Sequence, residues 1–155
     1  MILVNIWLPE GQNVGHASML VQSTYVSWWP DTRVGKKNAA SALSPIRNKS
    51  YASDVADEGK TPTNTVTLNG LDEAKILGWW ASFGLVQNGQ ELSGPLPPYV
   101  LLTQNCSTVV ARGLMIGGGD TYASWWVSRS VVWRPQTALD YARSIETGLA
   151  EKAKK

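Results

Sequence analysis

The sequence predicts an α+β fold, an antiparallel sheet packed against helices, on three observations. A strand and a hairpin fill the first thirty residues, apolar residues recur at helical spacing in three later segments, and the 155-residue chain is 43% apolar and 17% charged. Those proportions suit one globular domain, so residues 1–155 are read as a single unit.

Residues 2–8 are β-branched and aromatic and end at Pro9-Glu10-Gly11, which reads as a first strand. Residues 15–21 and 25–29 form the arms of a hairpin around Gln22-Ser23-Thr24, stopped by Pro30. From 31 to 62 the chain turns to Ser, Ala, Lys, Asn and Asp with no sustained period, too long for a passive connection, and is read as a flap or insertion. Residues 63–68 alternate as a strand, and Asn69-Gly70-Leu71-Asp72 opens a helix whose Leu71, Ala74, Leu77, Trp80 and Phe83 make a core stripe. Glycine and proline breaks mark 84–98 as loop.

After an extended lead-in at 99–102, a helix with a polar start runs from Cys106 to Met115 and stops at Gly117-Gly118-Gly119. The triple glycine follows a helix and has no Lys-Ser or Lys-Thr after it, so it is a turn and not a phosphate cradle. Residues 121–127 and 130–133 read as further strands, and Pro135 opens a last helix through Ala138, Leu139, Ala142, Ile145 and Leu149 into a basic tail.

Composition also excludes functions. The net charge is +2 and the Lys and Arg residues are scattered, so no basic stripe tracks a phosphate backbone and nucleic acid is not an expected partner. No apolar run approaches the ~20 residues of a membrane-spanning helix. The first nine residues carry no basic region or small-residue cleavage site, so a chain made in the cytoplasm without a signal peptide is expected. One cysteine and one histidine rule out an internal disulfide and Cys-cluster or His-rich metal sites, and no cofactor is expected. Eight tryptophans, six of them in the pairs Trp28-Trp29, Trp79-Trp80 and Trp125-Trp126, are expected to leave some aromatic surface exposed or lining a cleft.

Chemistry points to the two singletons. Cys106 opens a helix, where unpaired N–H groups and the positive end of the macrodipole favour the thiolate. His16, on a strand, is the candidate general base and acid, and the backbone N–H groups of Cys106 and Ser107 are placed to receive an oxyanion. The alternative reading is a buried, inert thiol and a packed imidazole.

The strings Val14-Gly15-His16-Ala17-Ser18-Met19, Tyr25-Val26-Ser27-Trp28-Trp29-Pro30 and Asn105-Cys106-Ser107-Thr108-Val109-Val110 resemble a circularly permuted NlpC/P60 domain of the papain-like superfamily. The order, histidine strand first and cysteine helix late, matches permuted members, and Trp133-Arg134-Pro135 before a helix fits as well. The resemblance implies a papain-like fold, acyl transfer through a thioester on Cys106, and a third polar residue that orients His16. An even-length hairpin turn puts Tyr25, Ser27 and Trp29 on the face of His16, Ser18 and Leu20, which makes Ser27 the candidate, although the family more often uses a carboxylate, carboxamide or second histidine.

Permuted relatives in the lecithin:retinol acyltransferase group act on lipid esters, whereas ordinary NlpC/P60 enzymes cut peptidoglycan peptides. The tryptophan pairs favour an apolar substrate, so a phospholipase A-type hydrolase is expected, with a peptidoglycan amidase or endopeptidase and an inactive binding module as the alternatives. Lys36, Lys37, Arg47 and Lys49 could set the flap against an anionic membrane surface. The resemblance extends to bacterial type VI secretion toxins, implying an antibacterial effector delivered to the envelope of a target cell and held in check by a cognate immunity protein.

Overall fold

The structure, a computed structural model, describes residues 1–30, 46–47, 50–83, 86–87, 90–91, 100–101 and 103–154. Its centre is a four-stranded antiparallel sheet of β1 (Ile2–Trp7), β2 (His16–Val21), β3 (Thr24–Val26) and β6 (Asn64–Leu68), in the order β3-β2-β1-β6. Strand period two divides its faces. Ile2, Val4, Ile6, Ala17, Met19, Val21, Val26, Val66 and Leu68 share one face and are buried in the core. The opposite face carries Asn5, Trp7, His16 and Ser18, which are buried too. A sheet buried on both faces needs cover on both, and the polar face is where chemistry can be housed.

Helices α2 (Glu73–Ser82), α3 (Cys106–Ile116) and α5 (Pro135–Lys152) complete the core with the apolar face. Pro at the first position of α5 has no N–H to leave unsatisfied, as expected for a helix start. The core stripe of α2 is rotated from the expected one. Ile76, Trp79, Trp80 and Phe83 are buried at i, i+3, i+4 and i+7, while Ala74 is exposed and Leu77 half-buried. The helix begins later than Leu71, because Asp72 is its N-cap and accepts the Lys75 N–H at 3.0 Å.

Three further expectations change. Residues 121–127 and 130–133 are not strands: a 3-10 turn at Gly119–Thr121 leads to the short helix α4 (Trp125–Ser128). Within the stretch read as a flap, Tyr51–Glu58 forms helix α1, started by the Ser50 side chain and ended by Gly59 in the left-handed conformation. Residues 31–45 and 48–49 of that stretch, with Lys36, Lys37 and Lys49, lie outside the described residues. Ile46–Arg47 is β5, paired with β4 (Trp28–Trp29). In the segment read as loop, β7 (Val86–Gln87) pairs with β8 (Gln90–Glu91), and the rest of 84–98 lies outside the described residues.

Candidate active site

The hairpin turn is two residues long, with Gln22 at φ 55, and it sets the register Leu20↔Tyr25 and Met19↔Val26. That register carries Tyr25, Ser27 and Trp29 to the His16 side of the sheet. His16 begins β2 opposite Trp7, the last residue of β1. The turn into β2 depends on Gly15: its φ is +79, and a Cβ there would lie 2.3 Å from the Trp7 carbonyl oxygen.

Helix α1 lies over this end of the polar face and delivers Asp54, which is fully buried. Its Oδ2 accepts from His16 Nε2 at 3.0 Å, Tyr25 OH at 2.7 Å and Ser27 Oγ at 2.8 Å, and its Oδ1 accepts from Trp29 Nε1 at 2.7 Å. Ser27 Oγ also lies 3.1 Å from His16 Nε2 and accepts from Trp29 Nε1 at 3.1 Å. Ser27 therefore touches the imidazole but is itself held by a carboxylate, the group that sequence reasoning missed. Two more bonds fix α1: Trp7 Nε1 donates to the Lys60 carbonyl at 2.8 Å, and Asn13 Nδ2 donates to Glu58 at 2.8 Å.

Burial raises the Asp54 carboxyl, but the His16 hydrogen bond and charge, with the Tyr25 and Ser27 hydrogen bonds, outweigh it and hold Asp54 below the usual carboxylate range. Burial, helped by the Asp54 contact, pushes the Tyr25 phenol up, so it remains a donor. The His16 ring lies 4.4 Å from the Trp29 ring and 5.5 Å from that of Trp7, so the two indoles limit its movement. The Nε2 atom of the ring is thus turned to Asp54 and Ser27.

A pH expectation follows from the depressed carboxyl. Since the folded-state pKa lies below the unfolded one, ordinarily ~3.9, the stabilisation by Asp54 is fully present above that value and drains away as pH falls through the folded pKa. Urea midpoints measured from neutral pH into acid should fall more steeply for the wild type than for Asp54→Asn. Equal slopes would show that Asp54 contributes nothing to the acid limb.

Cys106 is the first residue of α3 and is 4% exposed. Asn105 caps the helix: its carboxamide oxygen accepts the Thr108 N–H at 3.1 Å, and the Thr108 hydroxyl accepts the Asn105 N–H at 3.3 Å. Asn105 Nδ2 donates to the carbonyls of Leu101 at 2.7 Å and Trp133 at 2.8 Å, which ties the cysteine to the segments on either side. Because the cap takes the third N–H of the helix, those of Cys106 and Ser107 project from its N-terminal end. The Ser107 hydroxyl is fully buried and has no hydrogen-bond partner among the described residues. Losing Asn105 removes the cap and orphans two carbonyls, so Asn105→Ala should lower unfolding free energy by about 1–2 kcal/mol. A chemical-denaturation midpoint equal to that of the wild type would refute this.

Cys106 and Ser107 line a cavity of about 330 Å³ together with Gly15, the residue before His16, and Asn13, Trp133, Arg134 and Pro135. The structure thus brings His16, Ser27 and Asp54 into direct contact and puts Cys106 in the cavity that reaches the start of the histidine strand. Among the described residues, Arg134 is the one charged residue of the lining.

The α+β scaffold thus carries a cysteine at a capped helix start and a histidine held by a buried aspartate. Residues 35–155 match the model of the IcsB middle domain, and the chain belongs to that family. It is 28% identical over 129 residues, 81% of its length, to the multifunctional-autoprocessing repeats-in-toxin protein of Vibrio cholerae serotype O1, and 29% identical over 108 residues, 69% of its length, to the protein of the same name in Vibrio vulnificus. It spans only 3% and 2% of those two proteins. No solved structure matches it. Among the described residues, no helix is long and apolar enough to cross a membrane.

Proposed function

We propose that the chain is a cysteine-dependent acyl-transfer enzyme that forms a thioester on Cys106 with the acyl group of a phospholipid. The observation that carries this reading is the buried His16–Asp54 pair, with four donors on the carboxylate, together with a cavity lined by Cys106 and by Gly15, the residue before His16. Asp54 orients His16, and Nδ1 takes the thiol proton. The thiolate attacks the ester carbonyl, and the oxyanion meets the N–H groups of Cys106 and Ser107. The C–O bond to the glycerol then breaks as His16 returns the proton to the leaving alkoxide. Water, deprotonated by His16, attacks the thioester and frees the fatty acid and the thiol.

The cavity supports an apolar acyl group. Pro9, Val14, Leu101, Trp133 and Pro135 line it, no carboxylate does among the described residues, and its volume falls at the lower end of the ~300–1,000 Å³ typical of ligand pockets. The toxins named above support reading the chain as an effector domain; action on the envelope of a target cell and restraint by an immunity protein belong to the proposal.

Vesicles of phosphatidylethanolamine and phosphatidylglycerol, incubated with the protein, should yield lysolipid and free fatty acid, and none with Cys106→Ala. Cleaved muropeptides with intact lipids would move the substrate to peptidoglycan and leave the cysteine chemistry in place. Slow alkylation of Cys106 below pH 7, together with no product from either substrate, would assign an inactive binding module.

A further inference from the structure

Exposed apolar surface is gathered at one place. Trp125, Trp126, Val131 and Val132 are 54%, 80%, 92% and 40% exposed, and among the described large apolar residues only Met1 and Tyr51 join them. All four lie on α4 and the few residues after it. The protrusion is anchored: Val127 packs against the core, the Ser124 N–H donates to Ser144 Oγ at 2.6 Å, and the Trp133 carbonyl is held by Asn105. The two indoles meet edge to face at 4.5 Å, and the Arg129 guanidinium sits 4.8 Å from the Trp125 ring centre.

Charge gives the surface a direction. Between Asp120 and Asp140 the chain has no acidic residue, whereas it has Arg129 and Arg134. Arg134 is exposed and lines the Cys106 cavity with its neighbours Trp133 and Pro135, so the apolar patch runs directly into the cavity wall. Amphipathic indoles beside arginines, in a stretch of chain without acidic residues, match the boundary of an anionic bilayer, where rings reach acyl chains and guanidinium groups reach phosphates.

We propose that Trp125, Trp126, Val131 and Val132 enter the surface of an anionic membrane, with Arg129 and Arg134 on its phosphates, and so bring the Cys106 cavity to its lipids. This rests on the reading of a lipid acyl donor and adds the face by which the protein reaches it. The patch is separate from the residues assigned to catalysis, so its loss should spare chemistry on a substrate in free solution.

The test is co-sedimentation of the full chain with vesicles of phosphatidylcholine alone or mixed with phosphatidylglycerol. The wild type and Cys106→Ala should bind the anionic vesicles alike. Trp126→Ser/Val131→Ser, both at exposed positions, should bind at least tenfold more weakly, and Arg129→Gln about fivefold more weakly on anionic vesicles alone. The double variant should still cleave p-nitrophenyl butyrate at the wild-type rate. Wild-type binding that the double variant retains, or no wild-type binding at all, overturns the proposal. So does concentration-dependent self-association that the double variant loses in the absence of vesicle binding, which assigns the patch to a second copy. Patch-dependent binding without lipid cleavage upholds the docking face and removes the lipid substrate, so the two readings fail separately.

Discussion

Cys106→Ala, His16→Ala and the double variant are each expected to lose about a million-fold in kcat, with the double no worse than either single. A thiol without its base is a weak nucleophile at neutral pH, and an imidazole without the thiol has nothing to activate. The two act as one unit, so their losses overlap. Losses that add in transition-state free energy would show two independent roles and remove the proton transfer from Cys106 to His16. Both variants should keep the wild-type circular dichroism, since α3 is capped by Asn105 and His16 sits in a strand paired along its length.

Asp54→Asn is expected to cost about ten-thousand-fold in kcat through the position of a proton. Trp29 Nε1 can only donate, so the asparagine oxygen must stay on Trp29 and its NH₂ must face His16 Nε2. His16 then accepts at Nε2 and carries its proton on Nδ1, the nitrogen that has to take one from Cys106. Kinetics of Asp54→Asn within tenfold of wild type would reduce Asp54 to a packing residue. Ser27→Ala removes one of four donors to the carboxylate, a loss of about 0.5–1.5 kcal/mol, and should be the mildest of these changes.

The sequence revealed the histidine hairpin and the cysteine helix because each carries a strong local signal. Strand alternation and a two-residue turn put Ser27 beside His16, and a polar cap followed by apolar residues marked the start at Cys106. Asp54 was hidden by the way α1 uses its faces. The helix buries Asp54 and Glu58, spaced i, i+4, and leaves Tyr51 45% exposed, so a search for apolar periodicity finds nothing there. The signal that could have found it was Ser50 as an N-cap followed by acids at helical spacing. Trp125-Trp126 misled in the opposite direction. Aromatic residues suggest a strand, but these rings are exposed on one helical turn, where no partner strand constrains them.

The indoles around His16 also make the molecule report on itself. Its single imidazole lies within 5.5 Å of the Trp7 and Trp29 ring centres, so the carbon-bound protons of that ring should be shifted away from ordinary histidine resonances by ring currents. Since the chain has one histidine, nitrogen-15 labelling of that residue type yields one imidazole spin system and needs no assignment. The tautomer exchange expected for Asp54→Asn and the proposed proton transfer from Cys106 would then both be read in the same pair of nitrogen signals.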